Sequence, residues 1–168
     1  MAPQHPLAQR FRHWYAYERD CNAKVLAMLE SVPQASRSSP QFAKAVGKFA
    51  HLIAARHFWL FRLGACADRP ESWFPPTPLD QLPAALREIE QRWTAYLERL
   101  TDADLAGACI LTREDGQRWR WNLVDLLTQL FGHAWYHRGQ IAMLVADLGG
   151  KAVDTDYIFW CGTIHKLP

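Results

Sequence analysis

The sequence predicts an all-α protein: an antiparallel four-helix bundle with an additional C-terminal helix and a short β-hairpin before the fourth helix. Four long segments repeat apolar residues every three or four positions, which is the spacing of helices that bury one face. Most connections between them are short, and helices joined in this way pack antiparallel. The 168 residues show no internal repeat, so we expect a single domain over residues 1–168.

The first three helices are each marked by their apolar spacing and by signals at their ends. The first is expected over residues 7–31 and the second over residues 40–64. Ser39 is suited to cap the start of the second helix, and Gly64 to close its end. After a loop rich in proline, the third helix is expected over residues 79–100.

An alternating pattern before the fourth helix predicts the hairpin, over residues 110–122. The Asp-Gly pair at 115–116 suits a tight turn, and tryptophans alternate with arginines in the second half. The fourth helix is expected over residues 123–148, where two glycines end it. A last helix is expected over residues 155–164.

The composition argues against nucleic-acid and membrane partners. Nineteen Lys and Arg against 17 Asp and Glu leave a formal net charge of +2, so no general attraction to nucleic acid is expected. The longest apolar run, Ile141–Ala146, is far shorter than the roughly 20 residues of a membrane span. Four cysteines lie at least 43 residues apart. Because the start also lacks a signal-peptide pattern, they predict reduced thiols in the cytoplasm.

Two histidines, His133 and His137, stand one turn apart on the face of the fourth helix expected to point inward. Residues at i and i+4 lie about 5–6 Å apart at Cβ, so both imidazoles can reach one metal ion at about 2.0–2.1 Å. The alternative is a buried pair satisfied by hydrogen bonds alone. Each ring has two polar nitrogens that need partners, and a metal ion would satisfy one nitrogen on each.

The second helix offers two candidates for a third ligand, His51 and His57. They are six residues apart and therefore lie about 240° apart around the helix axis. Only one of them can face the histidine pair, and the apolar pattern does not choose between them.

At these residues the chain resembles a known family. The segment at 133–141, HAWYHRGQI, is similar to the HxxxHRGQ signature of the DinB/YfiT-like metal-binding four-helix bundles, and the segment at 50–55, AHLIAA, resembles their second-helix motif. The likeness extends to Tyr17 and Asn22, to the hairpin, and to residues 155–158. It implies that His51, His133 and His137 are the metal ligands, that His57 is a surface or packing residue, and that the protein is a homodimer.

Two positions depart from the family pattern. Gln129 stands where many members carry another histidine, and it can donate or accept a hydrogen bond but cannot act as a base. Arg56 stands near a frequent glutamate and would change the local charge if it faced the site. Glu18, in the apolar stripe of the first helix, is the nearest candidate base; the pattern favours instead an ion pair with a neighbouring arginine.

Residues that follow the second histidine invite further hypotheses. Gln140, three residues after His137, is suited to orient an imidazole, and Arg138 to form a salt bridge or meet an anionic substrate. Gly132 and Gly139 cost helix stability, about 1 kcal/mol each relative to Ala, and so predict close helix contacts.

Most tryptophans fall in apolar stripes and are expected in the core. Trp73, Trp119 and Trp121 lie in loop or hairpin, where they suit a pocket rim or a dimer contact. Trp135 lies on the outer side of the fourth helix, and a homodimer would cover it.

Three imidazoles and open coordination positions are typical of a catalytic metal site, because structural zinc has four protein ligands. Such an ion acidifies a bound water or holds a thiol as thiolate. The sequence therefore favours a metal-dependent enzyme acting on a small molecule, either a hydrolase or a transferase that uses a low-molecular-weight thiol. The alternative is a non-catalytic metal-binding stress-response protein. Imidazoles suit several metals; we expect zinc or nickel, with iron as a further candidate.

Overall fold

The computed structural model describes residues 6–112 and 115–162. Four long helices dominate it, and a two-stranded sheet precedes the last of them. The elements in chain order are α1 (Leu7–Glu30), α2 (Pro40–Arg62), α3 (Leu82–Arg99), α4 (Asp102–Leu105), β1 (Ala108–Thr112), β2 (Arg118–Asn122), α5 (Leu123–Asp147) and α6 (Tyr157–Trp160), with 3₁₀ turns at Gln34–Ser36 and Leu79–Gln81.

The long helices form a bundle in which α1 and α2 each pack against both α3 and α5. Its core is built from the apolar faces of these helices, and residues such as Phe11, Phe49, Trp93, Leu127 and Ile141 are almost completely shielded from solvent. The predicted helical fold is confirmed. The extensive contact between α2 and α5 is the feature that brings the candidate ligands together.

The ends of α2 follow the sequence signals closely. Ser39 Oγ accepts a hydrogen bond from the Phe42 amide at 3.2 Å, which satisfies one of the free donors of the first turn. Gly64 adopts φ of +69°, and beyond it the Ala65 amide donates to the Leu60 carbonyl at 2.9 Å. Glycine adopts this left-handed conformation at little cost, so α2 ends there.

The hairpin has the predicted antiparallel arrangement, with Cys109 opposite Trp121. Trp119 and Trp121 lie on one face with their ring centroids 6.0 Å apart, and Trp121 meets Trp59 of α2 edge to face. The hairpin tryptophans therefore pack beside the end of the bundle, away from the histidines.

Two elements differ from the prediction. The short helix α4 was not expected; a capping box holds it, in which Thr101 and Asp104 bond each other's backbone amides. The last helix is a single turn, Tyr157–Trp160, within the described residues, whereas residues 155–164 were expected to be helical; residues 163–164 lie outside the described ranges. The Asp156 amide bonds the Asp154 carboxylate at 2.7 Å, so residues 154–156 form a local turn instead of a first helical turn.

The prediction for the two glycines of α5 is wrong. A Cβ placed on Gly132 or Gly139 would meet no heavy atom of a neighbouring element within 4 Å. The outer surface of α5 carries instead three exposed apolar side chains: Trp135, Tyr136 and Met143.

None of the described helices has the length and apolar character needed to cross a membrane.

Cys21, Cys66 and Cys109 are free thiols.

Candidate metal centre

The packing of α2 on α5 brings three histidines into one cluster. His51 lies midway along α2, while His133 and His137 lie one turn apart on α5. One ring nitrogen from each residue lies within 4.8 Å of the others. His51 is buried, and the two α5 histidines are half-buried, so the cluster sits at the edge of the core with access from solvent.

The three rings face one another nearly at right angles. Their centroids are 5.2 Å apart for His51 and His133, 5.2 Å for His51 and His137, and 4.5 Å for His133 and His137. The Nε2 atoms of His51 and His133 are 3.1 Å apart. Nitrogens that share a tetrahedral zinc ion are about 3.3 Å apart, so this spacing is close to that of a ligand pair.

The loop between α2 and α3 determines which ring nitrogen of His51 carries the proton. His51 Nδ1 lies 2.7 Å from the carbonyl oxygen of Trp73, and a carbonyl can only accept. Nδ1 therefore carries the hydrogen in the neutral ring, and Nε2 presents its lone pair to the cluster.

His137 is oriented in the same way by a side chain of its own helix. Its Nδ1 lies 2.9 Å from Gln140 Oε1, and Lys48 Nζ lies 2.6 Å from the same oxygen. An ammonium can only donate, which identifies the shared atom as the amide oxygen. His137 Nδ1 therefore donates, and its Nε2 is free for a ligand bond.

Burial keeps the α5 histidines uncharged. It lowers the pKa of His133 to about 4, with further lowering by His137, His51 and Arg56. Burial also lowers the pKa of His137, although the hydrogen bond to Gln140 opposes this shift. Because metal ions bind neutral imidazole, these two side chains are ready to act as ligands at neutral pH.

A cleft of about 380 Å³ opens beside His51 and His137. Its size falls in the range of small-molecule sites. Lysines of α2 and apolar side chains of the following loop form the walls, and the lining residues are Lys44, Gly47, Lys48, His51, Phe74, Pro75, Pro76 and His137.

The profile of the DinB family matches residues 3–162, nearly the whole chain. The chain belongs to the DinB family. Comparison with curated proteins and with solved structures found no significant match.

Within this DinB-family bundle, Arg56 and Glu18 form a buried ion pair. Arg56 Nε donates to Glu18 Oε1 at 2.8 Å, and Nη2 donates to Oε2. The guanidinium also lies over Trp93 and Phe131, 4.9 Å and 5.0 Å from the ring centroids. Both carboxylate oxygens of Glu18 are engaged, so Glu18 is a charge partner here and not a free base.

His57 and Gln129 lie away from the three-histidine cluster. His57 Nε2 is 2.8 Å from Asp68 Oδ2, and Arg92 bonds the same carboxylate. This arrangement resolves the choice left open by the spacing: His51 faces the pair on α5, and His57 joins α2 to the loop. Gln129 is exposed on α5.

Arg138 is buried against α1 and does not face the cleft. Its guanidinium lies 5.3 Å from the centre of the Tyr17 ring and contacts the Tyr17 hydroxyl at 3.4 Å. No carboxylate pairs with it in the part of the chain that the structure describes, so the expected salt bridge is absent there.

Sequence reasoning missed the contributions of Lys48 and of the loop. Phe74 stacks on His51, with ring centroids 4.3 Å apart and an angle of 10°, and Trp73 stacks on Phe58 at 4.1 Å. The position of Lys48, three residues before His51 on α2, was a usable signal, because such residues share a helix face. The path of the loop had no comparable signal.

Proposed function

We propose that this DinB-family chain binds one divalent metal ion through His51, His133 and His137 and uses it as an enzyme acting on a small molecule. The observation that carries the proposal is the convergence of the three rings, with Nδ1 of His51 and of His137 bonded to oxygen atoms. Such outer hydrogen bonds fix the tautomer and orientation of metal-binding imidazoles.

The residues present fit a metal ion of borderline softness. Neutral imidazoles suit zinc, nickel and iron, and we favour zinc or nickel. Three protein ligands leave coordination positions open, and an ion bound there supplies Lewis acidity to a substrate atom.

The reaction classes that suit this site are hydrolysis and group transfer with a low-molecular-weight thiol. The chain's own contribution is to bind and orient the substrate. The cleft is large enough for a small molecule, and the Phe74 ring stacks on His51.

The competing candidate is a non-catalytic metal-binding protein of a stress response. Two observations favour it: both oxygens of Glu18 are bonded to Arg56, and the lining of the cleft contains no carboxylate among the described residues. Enzymatic proton transfer would then depend on the substrate, on solvent or on a histidine.

Elemental analysis of the purified protein tests metal binding. We expect about one divalent ion per chain in the wild type and in a His13→Ala control, and almost none in the His133→Ala/His137→Ala double variant. Equal metal content in the wild type and the double variant would refute the site.

A cobalt-substituted form separates the enzyme from the stress protein. We expect a small thiol to change the visible spectrum of the cobalt protein, and turnover with small esters or thiol acceptors to depend on the metal. A spectrum unchanged by any thiol would remove the transferase; a lack of turnover in both assays would favour the non-catalytic candidate.

We further propose that the protein is a cytoplasmic homodimer joined through the outer face of α5. Trp135, Tyr136 and Met143 are 46%, 64% and 70% exposed on that face, and a second copy would bury them. A Trp135→Glu variant should have about half the wild-type mass in light scattering, and an unchanged mass would contradict this interface.

A further inference from the structure

We infer that the cleft beside the three histidines binds a small organic acid, whose carboxylate lies at Lys44 and Lys48 while its reacting group points to the histidines. The inference rests on the proposed function for the role of the histidines and adds the chemical class of the substrate.

The charged side chains that line the cleft, Lys44 and Lys48, are both positive. Lys44 and Lys48 are one turn apart on α2 and share a face, and His51 follows Lys48 by three residues. The described lining has no aspartate or glutamate to neutralise the two ammonium groups. A divalent ion held by neutral histidines would add two further positive charges, so the cleft is matched to an anion.

Lys48 is held in place while keeping donors to spare. Its Nζ donates one hydrogen bond to Gln140 Oε1 at 2.6 Å, and an ammonium has three hydrogens. The bond fixes Nζ beside the oxygen that orients His137, so an anion bound by Lys48 would lie next to the histidine cluster. Lys44 is exposed one turn farther along α2 and extends the positive wall toward solvent.

The remaining walls determine what the rest of the ligand can be. Phe74, Pro75 and Pro76 form the apolar part of the lining, which suits a short hydrocarbon or flat group. The described lining does not include the N-terminus of a helix, whose backbone amides commonly hold a phosphate. We therefore assign the anion as a carboxylate.

The first test compares two thiols of similar size on the cobalt-substituted protein: mercaptoacetate, which carries a carboxylate, and mercaptoethanol, which is neutral. We expect mercaptoacetate to bind about tenfold more tightly in spectroscopic titrations at low salt, with the preference falling as ionic strength rises. Equal affinities for the two thiols in the wild type would overturn the inference.

Substitution of Lys44 and Lys48 tests whether these two residues supply the charge that binds the carboxylate. Lys44→Met and Lys48→Met should each reduce the preference for mercaptoacetate, and the double variant should abolish it. Lys48→Arg, which keeps the charge, should retain most of the preference, as should the remote control Lys151→Met. Retention of the full preference in the double variant would refute the site. Because Lys44 makes no hydrogen bond to Gln140 or to the three histidines in the described part of the chain, its variant separates loss of charge from disturbance of His137.

The second test uses the metal-free protein, so that it does not depend on the metal site. Benzoate should shift the amide NMR signal of Gly47, which lines the cleft, more strongly than benzyl alcohol at equal concentration. Tighter binding of phenyl phosphate than of benzoate would overturn the carboxylate assignment, and no shift with any anion would overturn the site. If benzoate shifts the signal of a protein that fails to bind metal, the anion site stands and the proposed function is refuted.

Discussion

The oxygen atoms behind the histidine rings are as important to the centre as the rings themselves. The Trp73 carbonyl and the Gln140 side chain each accept a hydrogen bond from Nδ1 of one imidazole. A neutral imidazole has one proton, so each of these bonds leaves Nε2 free in the cluster. Removing such a partner changes the ligand without touching the atom that binds the metal.

Gln140→Leu should therefore weaken metal binding about 10- to 100-fold, because His137 loses the acceptor that fixes its tautomer. Competition with a coloured chelator measures the affinity. Gln140→Glu keeps an oxygen at the same place and should retain most of the affinity. Gln129→Leu, an exposed change on the same helix, is the matched control, and an equal loss of affinity in that variant would contradict the role of Gln140.

Arg56 is a second single residue with a measurable effect, here on stability. Arg56→Met should lower the free energy of unfolding by about 3–5 kcal/mol, because it leaves the Glu18 carboxylate buried without its partner. The double variant Glu18→Gln/Arg56→Met should recover much of that loss. Urea denaturation of the two single variants and the double variant measures the coupling between the residues.

The control for this pair is on the surface. Lys24 and Asp20 form a partly exposed ion pair at 2.8 Å, and Lys24→Met should cost less than about 1 kcal/mol. A comparable cost for Arg56→Met and Lys24→Met would show that burial does not strengthen the Arg56–Glu18 pair.

Among the elements, the long helices were predictable and the short ones were not. Helix α5 repeats its apolar residues over many turns, and its observed range, Leu123–Asp147, lies within one residue of the expected one. Helix α4 has four residues, too few to show a period, and only the Thr101–Asp104 capping box marks it. The last helix was predicted to begin too early, because residues 154–156 form a side-chain turn.

The candidate site also has a part that was predictable, on the helices, and a part that was not, in the loop. Helical spacing placed His133 and His137 together, and the family resemblance selected His51. The Trp73 carbonyl and the stacked Phe74 ring could not be predicted, because they depend on the path of a loop and not on a repeating pattern. Every residue has a backbone carbonyl, so the residue type at position 73 does not reveal that its carbonyl contacts His51.

The loop itself is attached to the bundle by a charge cluster. Asp68 accepts from Arg92 of α3 and contacts His57 of α2, and the Arg92 hydrogen bonds lower the pKa of the Asp68 carboxyl to about 2. The attachment should therefore persist in mild acid. It holds the segment that delivers the Trp73 carbonyl to His51.

Asp68→Asn should loosen this loop while leaving the bundle intact. We expect faster hydrogen–deuterium exchange over residues 65–78, since the neutral amide cannot pair with Arg92 as a carboxylate does. Exchange in the core of α5 should not change. Asp80→Asn, an exposed change beyond the loop, serves as the control; loop protection that is the same in the wild type and in Asp68→Asn would disprove the attachment.

For the molecule as a whole, the half-buried His133 predicts how stability depends on pH in the absence of metal. The folded-state pKa of His133 is about 4, below the ordinary value of 6.5, so the unfolded chain takes up this proton first. Above pH 6.5 the full stability is present. Between pH 6.5 and 4 the free energy of unfolding should fall as the pH falls.

Urea titrations in the presence of a chelator measure this dependence. The wild type should lose stability more steeply over that range than His133→Gln, which cannot take up the proton. Parallel curves for the two proteins would mean that His133 titrates alike in the folded and unfolded states.

The positions of the ligands along the chain also bear on how the protein would acquire an ion during synthesis. His51 and His133 are 82 residues apart, and the loop between them closes only when α2 docks on α5. A growing chain from which residue 137 has not yet emerged lacks one of the three ligands. Metal binding would then follow the docking of α2 on α5, so the ion would meet ligands whose geometry the finished bundle has already fixed.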